Sequence, residues 1–165
     1  MALSIGSTDL QRVRGVANYQ FGSENGQKMF PDEVVLSHSR KTGRVKHIYL
    51  NRTLLATIRP NDGAFALTIA GAERLMRLVD YPRFRVVVNG DVEHFIVKGR
   101  NVFARHVVMA DRHIIPGEEV VVTNNMGEVL AVGKALLAGS EMLAFNRGVA
   151  VKVRGGIGGN IDAGN

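Results

Sequence analysis

The chain has no cysteine among its 165 residues. That absence excludes a disulfide framework, thiolate zinc sites, iron–sulfur clusters and thiol catalysis together. No apolar run approaches the roughly 18 to 20 residues of a membrane span, so no membrane partner is expected. The opening Met1-Ala2-Leu3-Ser4-Ile5 lacks a basic region followed by a long apolar stretch. It does not read as a secretory signal, and a cytoplasmic protein is the expectation. Catalytic motifs are missing too. His38, His47, His94, His106 and His113 show no i, i+4 pair or other ligand spacing. Ser37, Ser39 and Ser140 sit in no nucleophile elbow, and the acidic residues are spread out. Gly22 to Lys28 has the wrong glycine spacing for a phosphate loop and no Ser or Thr after the lysine. No metal, cofactor or catalytic residue is therefore expected.

What the chain has in excess is positive charge. Lys and Arg number 21 against 15 Asp and Glu, a net charge of +6 that favours a polyanionic partner. Between Val34 and Asn61 there is no acidic residue, while Arg40, Lys41, Arg44, Lys46, Arg52 and Arg59 all fall there.

Thr8-Asp9-Leu10-Gln11 has the form of a capping box, and Leu10, Val13, Val16 and Ala17 continue it at helical spacing. A short helical turn follows near Asn25 to Phe30. Two hairpins come next: 34–39 with 45–50 around Lys41-Thr42-Gly43, and 54–59 with 64–69 around Pro60-Asn61-Asp62-Gly63. In the second hairpin Phe65, Leu67 and Ile69 are expected on one face. Ala72, Leu75, Met76 and Val79 mark an amphipathic helix that ends at Tyr81-Pro82. A domain boundary is expected there, giving an α+β domain over 1–82.

Beyond it, short strands at 85–88, 101–108, 118–123, 129–136 and 149–154, with turns roughly every ten residues, predict a small β-barrel over 83–155. Asp91 is expected to cap a helix over 91–98 that Gly99 stops, and Ser140 to cap a single helical turn. Gly155 onward reads as a glycine-rich, mobile tail, with 156–165 outside the domain.

Two groups of cations are candidate ligands for phosphate. In Lys98-Gly99-Arg100-Asn101 a glycine between two cations lets bare backbone approach a ligand while the charges neutralise phosphate. Val149, Val151 and Val153 alternate with Ala150, Lys152 and Arg154, so the second set should face water. Lys152 and Arg154 would then stand about 7 Å apart, near the spacing of successive phosphates.

Residues 84–154 resemble the PUA domain. The likeness rests on Arg85-Val86-Val87-Val88, Glu93 to Phe103 (EHFIVKGRNVF), Pro116 to Val122 (PGEEVVV), Gly127 to Ala135 (GEVLAVGKA), Glu141 to Phe145 and Gly148 to Arg154 in that order. Asn18-Tyr19-Gln20-Phe21-Gly22, Ser39 to Arg44 (SRKTGR) and Leu54 to Gly63 (LLATIRPNDG) resemble the domain that precedes PUA in archaeal tRNA-guanine (archaeosine) transglycosylase. The resemblance implies an archaeal origin and an α+β first domain followed by a mainly-β PUA pseudobarrel. It also implies that these domains hold tRNA by its acceptor stem and 3′ end. The catalytic domain of that family, a barrel of about 250 residues with cysteine-bound zinc, has no counterpart in this chain. The implied function is thus non-catalytic RNA binding in tRNA modification. The alternative is an accessory interaction subunit of a tRNA-modifying enzyme, such as a tRNA-guanine transglycosylase catalytic subunit, or a ribosome-associated translation factor, with rRNA as the other candidate RNA. Carried over by position, Lys98, Gly99, Arg100, Asn101, Val102 and Phe103 would meet RNA, with Lys152 and Arg154 as companions. Arg40, Lys41 and Arg44 would extend the contact from the first domain.

Overall fold

A computed structural model describes residues 5–159. The chain divides into two compact units between Leu78 and Val79.

The first unit is α+β, as expected. Helix α1 (Ile5–Phe21) is followed by α2 (Asn25–Met29), the strands β1 (Val35–His38), β2 (Val45–Leu50), β3 (Thr53–Ile58) and β4 (Phe65–Leu67), and α3 (Ile69–Leu78). The four strands form an antiparallel meander in sequence order. Its core joins Val13, Ala17 and Phe21 of α1, Ile48, Leu55 and Ala56 of the sheet, and Ala72 and Leu75 of α3. Phe65 is fully buried, with ring centroids 5.2 Å from Phe30 and 6.2 Å from Phe21. The open edge of β4 is closed by Gln20, which donates to Phe65 O at 3.0 Å and accepts from Phe65 N at 2.7 Å. That side chain supplies both hydrogen bonds a further strand would have made.

Two local expectations are corrected in this unit. Thr8 is inside α1 rather than at its cap, because the helix is already under way at Ile5. Ile69 starts α3 instead of ending β4. The Thr68 hydroxyl accepts from Gly71 N at 3.1 Å, so it satisfies a free amide of the helix start at that point.

The second unit is mainly β. Strands β5 (Arg85–Val88), β6 (Val102–Phe103), β7 (Val107–Ala110), β8 (Glu119–Thr123), β9 (Val129–Ala135) and β10 (Val149–Gly156) form one sheet in the order β6-β10-β9-β8-β5-β7. Only β5 and β8 pair in parallel. Val86, Val88, Val102, Ala110, Val120, Val122, Ala131 and Val151 all enter one apolar core, so the sheet wraps around it in the manner of a barrel. Short helices α4 (Glu93–Ile96) and α5 (Gly139–Ala144) contribute Ile96 and Met142 to that core.

Here the corrections concern caps and phases. Asn89, not Asp91, opens the turn ahead of α4: its Oδ1 accepts from Asp91 N at 3.0 Å. Ser140 is inside α5, whose start is fixed by Glu141 accepting from Ala138 N at 2.9 Å. The expected strand over 101–108 is broken by a 3₁₀ turn at Ala104–His106. Ala150, expected to face water, is fully buried next to Val151, because a register shift against β6 between Val149 and Val151 interrupts the alternation. The tail is corrected as well. Gly155 and Gly156 complete β10, and Gly156 N donates to Gly159 O at 3.2 Å. Residues 160–165 lie outside the described residues.

Candidate nucleic-acid interface

The segment from Lys98 to Phe103 links α4 to β6. Gly99 adopts φ 90°, the left-handed geometry that stops a helix, and is itself buried. Three successive amides are committed to ending α4: Lys98 N to Phe95 O at 3.2 Å, Gly99 N to Ile96 O at 2.8 Å and Arg100 N to Phe95 O at 3.1 Å. The bare backbone near Gly99 therefore caps the helix and offers no free donor there. Asn101 is also engaged, its Oδ1 accepting from Val153 N at 3.0 Å, which ties the segment to β10. Val102 is fully buried in the core and presents no side chain to the outside. Besides Asn101, the segment exposes the Lys98 and Arg100 side chains and the Phe103 ring, 43% exposed.

Register places further groups beside it. Phe103 pairs with Val149 and Val102 with Val151, so β6 runs along β10. Lys152 lies directly opposite Lys134 of β9, and both side chains are exposed. Cross-strand partners have Cβ atoms about 4.5–5.5 Å apart, and two like charges so placed are destabilising. None of the ion pairs among the described residues uses Lys98, Arg100, Lys134 or Lys152.

Arg154 differs from them. Its guanidinium donates twice to the Glu119 carboxylate, Nη1 to Oε1 at 2.9 Å and Nη2 to Oε2 at 2.7 Å, and the Glu119 side chain is only 1% exposed. A buried carboxylate needs that partner, so Arg154 neutralises the sheet instead of standing free beside Lys152. Arg105 was not anticipated from the sequence: its guanidinium lies 5.7 Å from the Phe103 ring centroid. Lys134 was missed too, although it is the one exposed side chain of β9 and the one charge in its sequence.

Behind the segment stands the carboxy-terminal glycine run. Gly158 N donates to Val97 O at 2.7 Å, and a Cβ added at Gly156 would lie 2.3 Å from that same oxygen. The end of α4 thus rests directly on the backbone of β10. Gly156→Ala is expected to push Val97 and the following cations outward, at a cost of about 1–3 kcal/mol typical of overpacking. Urea denaturation will measure the stability loss, and amide shifts from Val97 to Asn101 will report the displacement.

In the first unit, Lys41 and Arg44 line a cleft, whereas Arg40 is exposed on the same turn but does not line it. His47, on β2 next to this charge, is held below the ordinary imidazole value by its burial and then by Lys46. Its Nδ1 is 3.1 Å from the Ser37 hydroxyl.

Comparison with known proteins accounts for both units in turn. Residues 11–82 match the patch-forming domain C2 of tRNA-guanine transglycosylase, and residues 84–157 match the PUA domain. Against tRNA-guanine(15) transglycosylase of Methanothermobacter thermautotrophicus the chain is 46% identical over 148 residues, covering 90% of this chain and 23% of that protein. Against the same enzyme of Thermococcus kodakarensis it is 48% identical over 145 residues, covering 88% and 25%. The chain thus spans about a quarter of the length of these curated relatives. Among solved structures, a hypothetical protein of Pyrococcus horikoshii superposes with a TM-score of 0.72 at 27% identity, over 90% of each chain. A PUA domain protein of Thermoplasma acidophilum shares the fold, with a TM-score of 0.62 at 20% identity over 90% and 87%. The chain thus carries a PUA domain, preceded by a domain matching the patch-forming domain C2 of tRNA-guanine transglycosylase.

Proposed function

We propose that this protein holds structured RNA without acting on it, its target being tRNA gripped at the acceptor stem and 3′ end in the course of tRNA modification. The observation that carries this reading is the pair of exposed cations Lys134 and Lys152, opposite each other on β9 and β10, while the Glu119 carboxylate on the far side of Lys134 is taken up by Arg154. Two ammonium groups so placed repel each other, and an RNA backbone would offset that repulsion with a phosphate over the pair. Lys98, Arg100, Lys134 and Lys152 contact phosphates, and the exposed Phe103 ring offers a surface on which an unstacked base can lie. Arg40, Lys41 and Arg44 add contacts from the C2 domain.

Roughly five phosphates neutralised among these seven cations give an expected log–log salt slope of about −3.5 to −4.5. Fluorescence anisotropy with a tRNA transcript between 50 and 300 mM potassium chloride tests the proposal. A slope near zero would remove the electrostatic grip on which it depends.

The C2 match favours one additional role, as an accessory chain to a separate transglycosylase catalytic subunit. Co-purification from native extract tests it, and the role requires such a subunit in stoichiometric amount after nuclease treatment.

A further inference from the structure

The two hairpin turns of the C2 domain repeat one geometry. Ser39 N donates to Arg44 O at 2.7 Å and Gly43 N to Ser39 O at 2.8 Å; Arg59 N donates to Ala64 O and Gly63 N to Arg59 O, each at 2.9 Å. Gly43 and Gly63 hold the same position in each turn, both at φ 71°. In a meander the turns β1–β2 and β3–β4 project from the same end of the sheet, so these twin loops stand side by side. Between them lies a cleft of about 880 Å³. Lys41, Arg44, Lys46 and Arg59 line it, with Asp62 as its only acidic residue.

Arg59 is the unusual member. Its Nε is buried and meets no hydrogen-bond acceptor, while Nη2 lies 3.2 Å from Asp62 Oδ2. A buried guanidinium donor without an acceptor costs free energy unless a ligand meets it. We infer that the cleft is a phosphodiester-binding site that seats the RNA backbone between the twin turns. Arg59 lies at its floor, and Lys41, Arg44 and Lys46 line its walls. This rests on the RNA reading above and deepens it: the contacts of Lys41 and Arg44 join Lys46 and Arg59 in one built site. Asp62 competes with the phosphate for Arg59. Its Oδ1 also accepts from Ala64 N at 2.9 Å, a bond that asparagine can keep.

The test measures tRNA affinity of the full chain and of two variants by anisotropy. Lys41→Ala combined with Arg44→Ala changes only exposed turn residues and is expected to weaken binding about tenfold. The salt slope should then fall by about two, one for each phosphate contact removed. Asp62→Asn is expected to tighten binding about two- to fivefold, a gain that misfolding cannot produce. Wild-type affinity in both variants, with the wild-type chain binding tRNA, would overturn the cleft and leave the PUA face standing. A wild-type chain that leaves tRNA free would overturn both.

Discussion

Replacing Lys98, Arg100 and Lys152 together by alanine is expected to weaken tRNA binding about a hundredfold at physiological salt. That factor corresponds to about 2.7 kcal/mol shared by three phosphate contacts. All three side chains are exposed, and none takes part in an ion pair among the described residues. Their removal should leave the barrel folded, because the contacts that hold the segment in place belong to neighbouring groups. Those are the α4-capping amides, the Asn101 side chain on Val153 and the buried Val102. The log–log salt slope should drop by about three. Arg154→Ala must behave differently. It strands the Glu119 carboxylate at 1% exposure and should show first as a loss of stability, with any loss of affinity following from it. Unchanged affinity in the triple variant, with a wild-type melting temperature, would place the RNA elsewhere on the protein.

Asp111→Ala is expected to cost about 3–5 kcal/mol, enough to unfold a marginal domain. The Asp111 side chain is 2% exposed, and three donors converge on it: Arg83 Nη1 at 2.7 Å, Phe84 N at 2.9 Å and His113 N at 3.0 Å. It thereby ties the start of β5 to the turn after β7. Gly139, the first residue of α5, packs so closely on the Asp111 carbonyl that an added Cβ would lie 1.8 Å from that oxygen. Burial works to raise the carboxyl's pKa. The His113 amide, the Arg83 guanidinium and the Phe84 amide outweigh burial, leaving the pKa below the ordinary aspartate value. Since the folded protein binds this proton more weakly than the unfolded chain, the stabilisation is complete above the unfolded carboxyl's pKa. It is lost as pH falls through the lower, folded one. Urea midpoints measured from pH 7 down to pH 2 should fall steeply at the acid end for the wild type, and less steeply for Asp111→Asn. Parallel curves for the two proteins would show that another group carries the acid transition.

The sequence and the structure agree where periodicity carries the information. Ala72 and Leu75 recur at helical spacing and are buried in α3; the turn residues of both hairpins announce themselves as Lys-Thr-Gly and Pro-Asn-Asp-Gly. Divergence begins where a choice depends on a distant partner. Asn89 and Asp91 are both good capping residues two positions apart, and nothing local decides between them. Alternation predicts that one of Val102 and Phe103 points inward, but only the register with β10 fixes which. Arg154 reads as one more free cation because Glu119 is 35 residues away in sequence. Lys134 was overlooked for the same reason, since its importance comes from standing opposite Lys152. The cleft of the C2 domain needed the tertiary fold too: Arg59 belongs to a different hairpin from Lys41 and Arg44.

The glycine run at 155–159 bears on how this protein can be cut and joined. Composition alone would end the second domain at Gly155, and a fragment trimmed there would lose the Gly156 backbone under the Val97 carbonyl and the amide of Gly158 that bonds it. The loop bearing Lys98 and Arg100 would then have no floor. An expression fragment that is to retain the cationic loop in its native position must therefore run through Gly159, with any affinity handle attached after it.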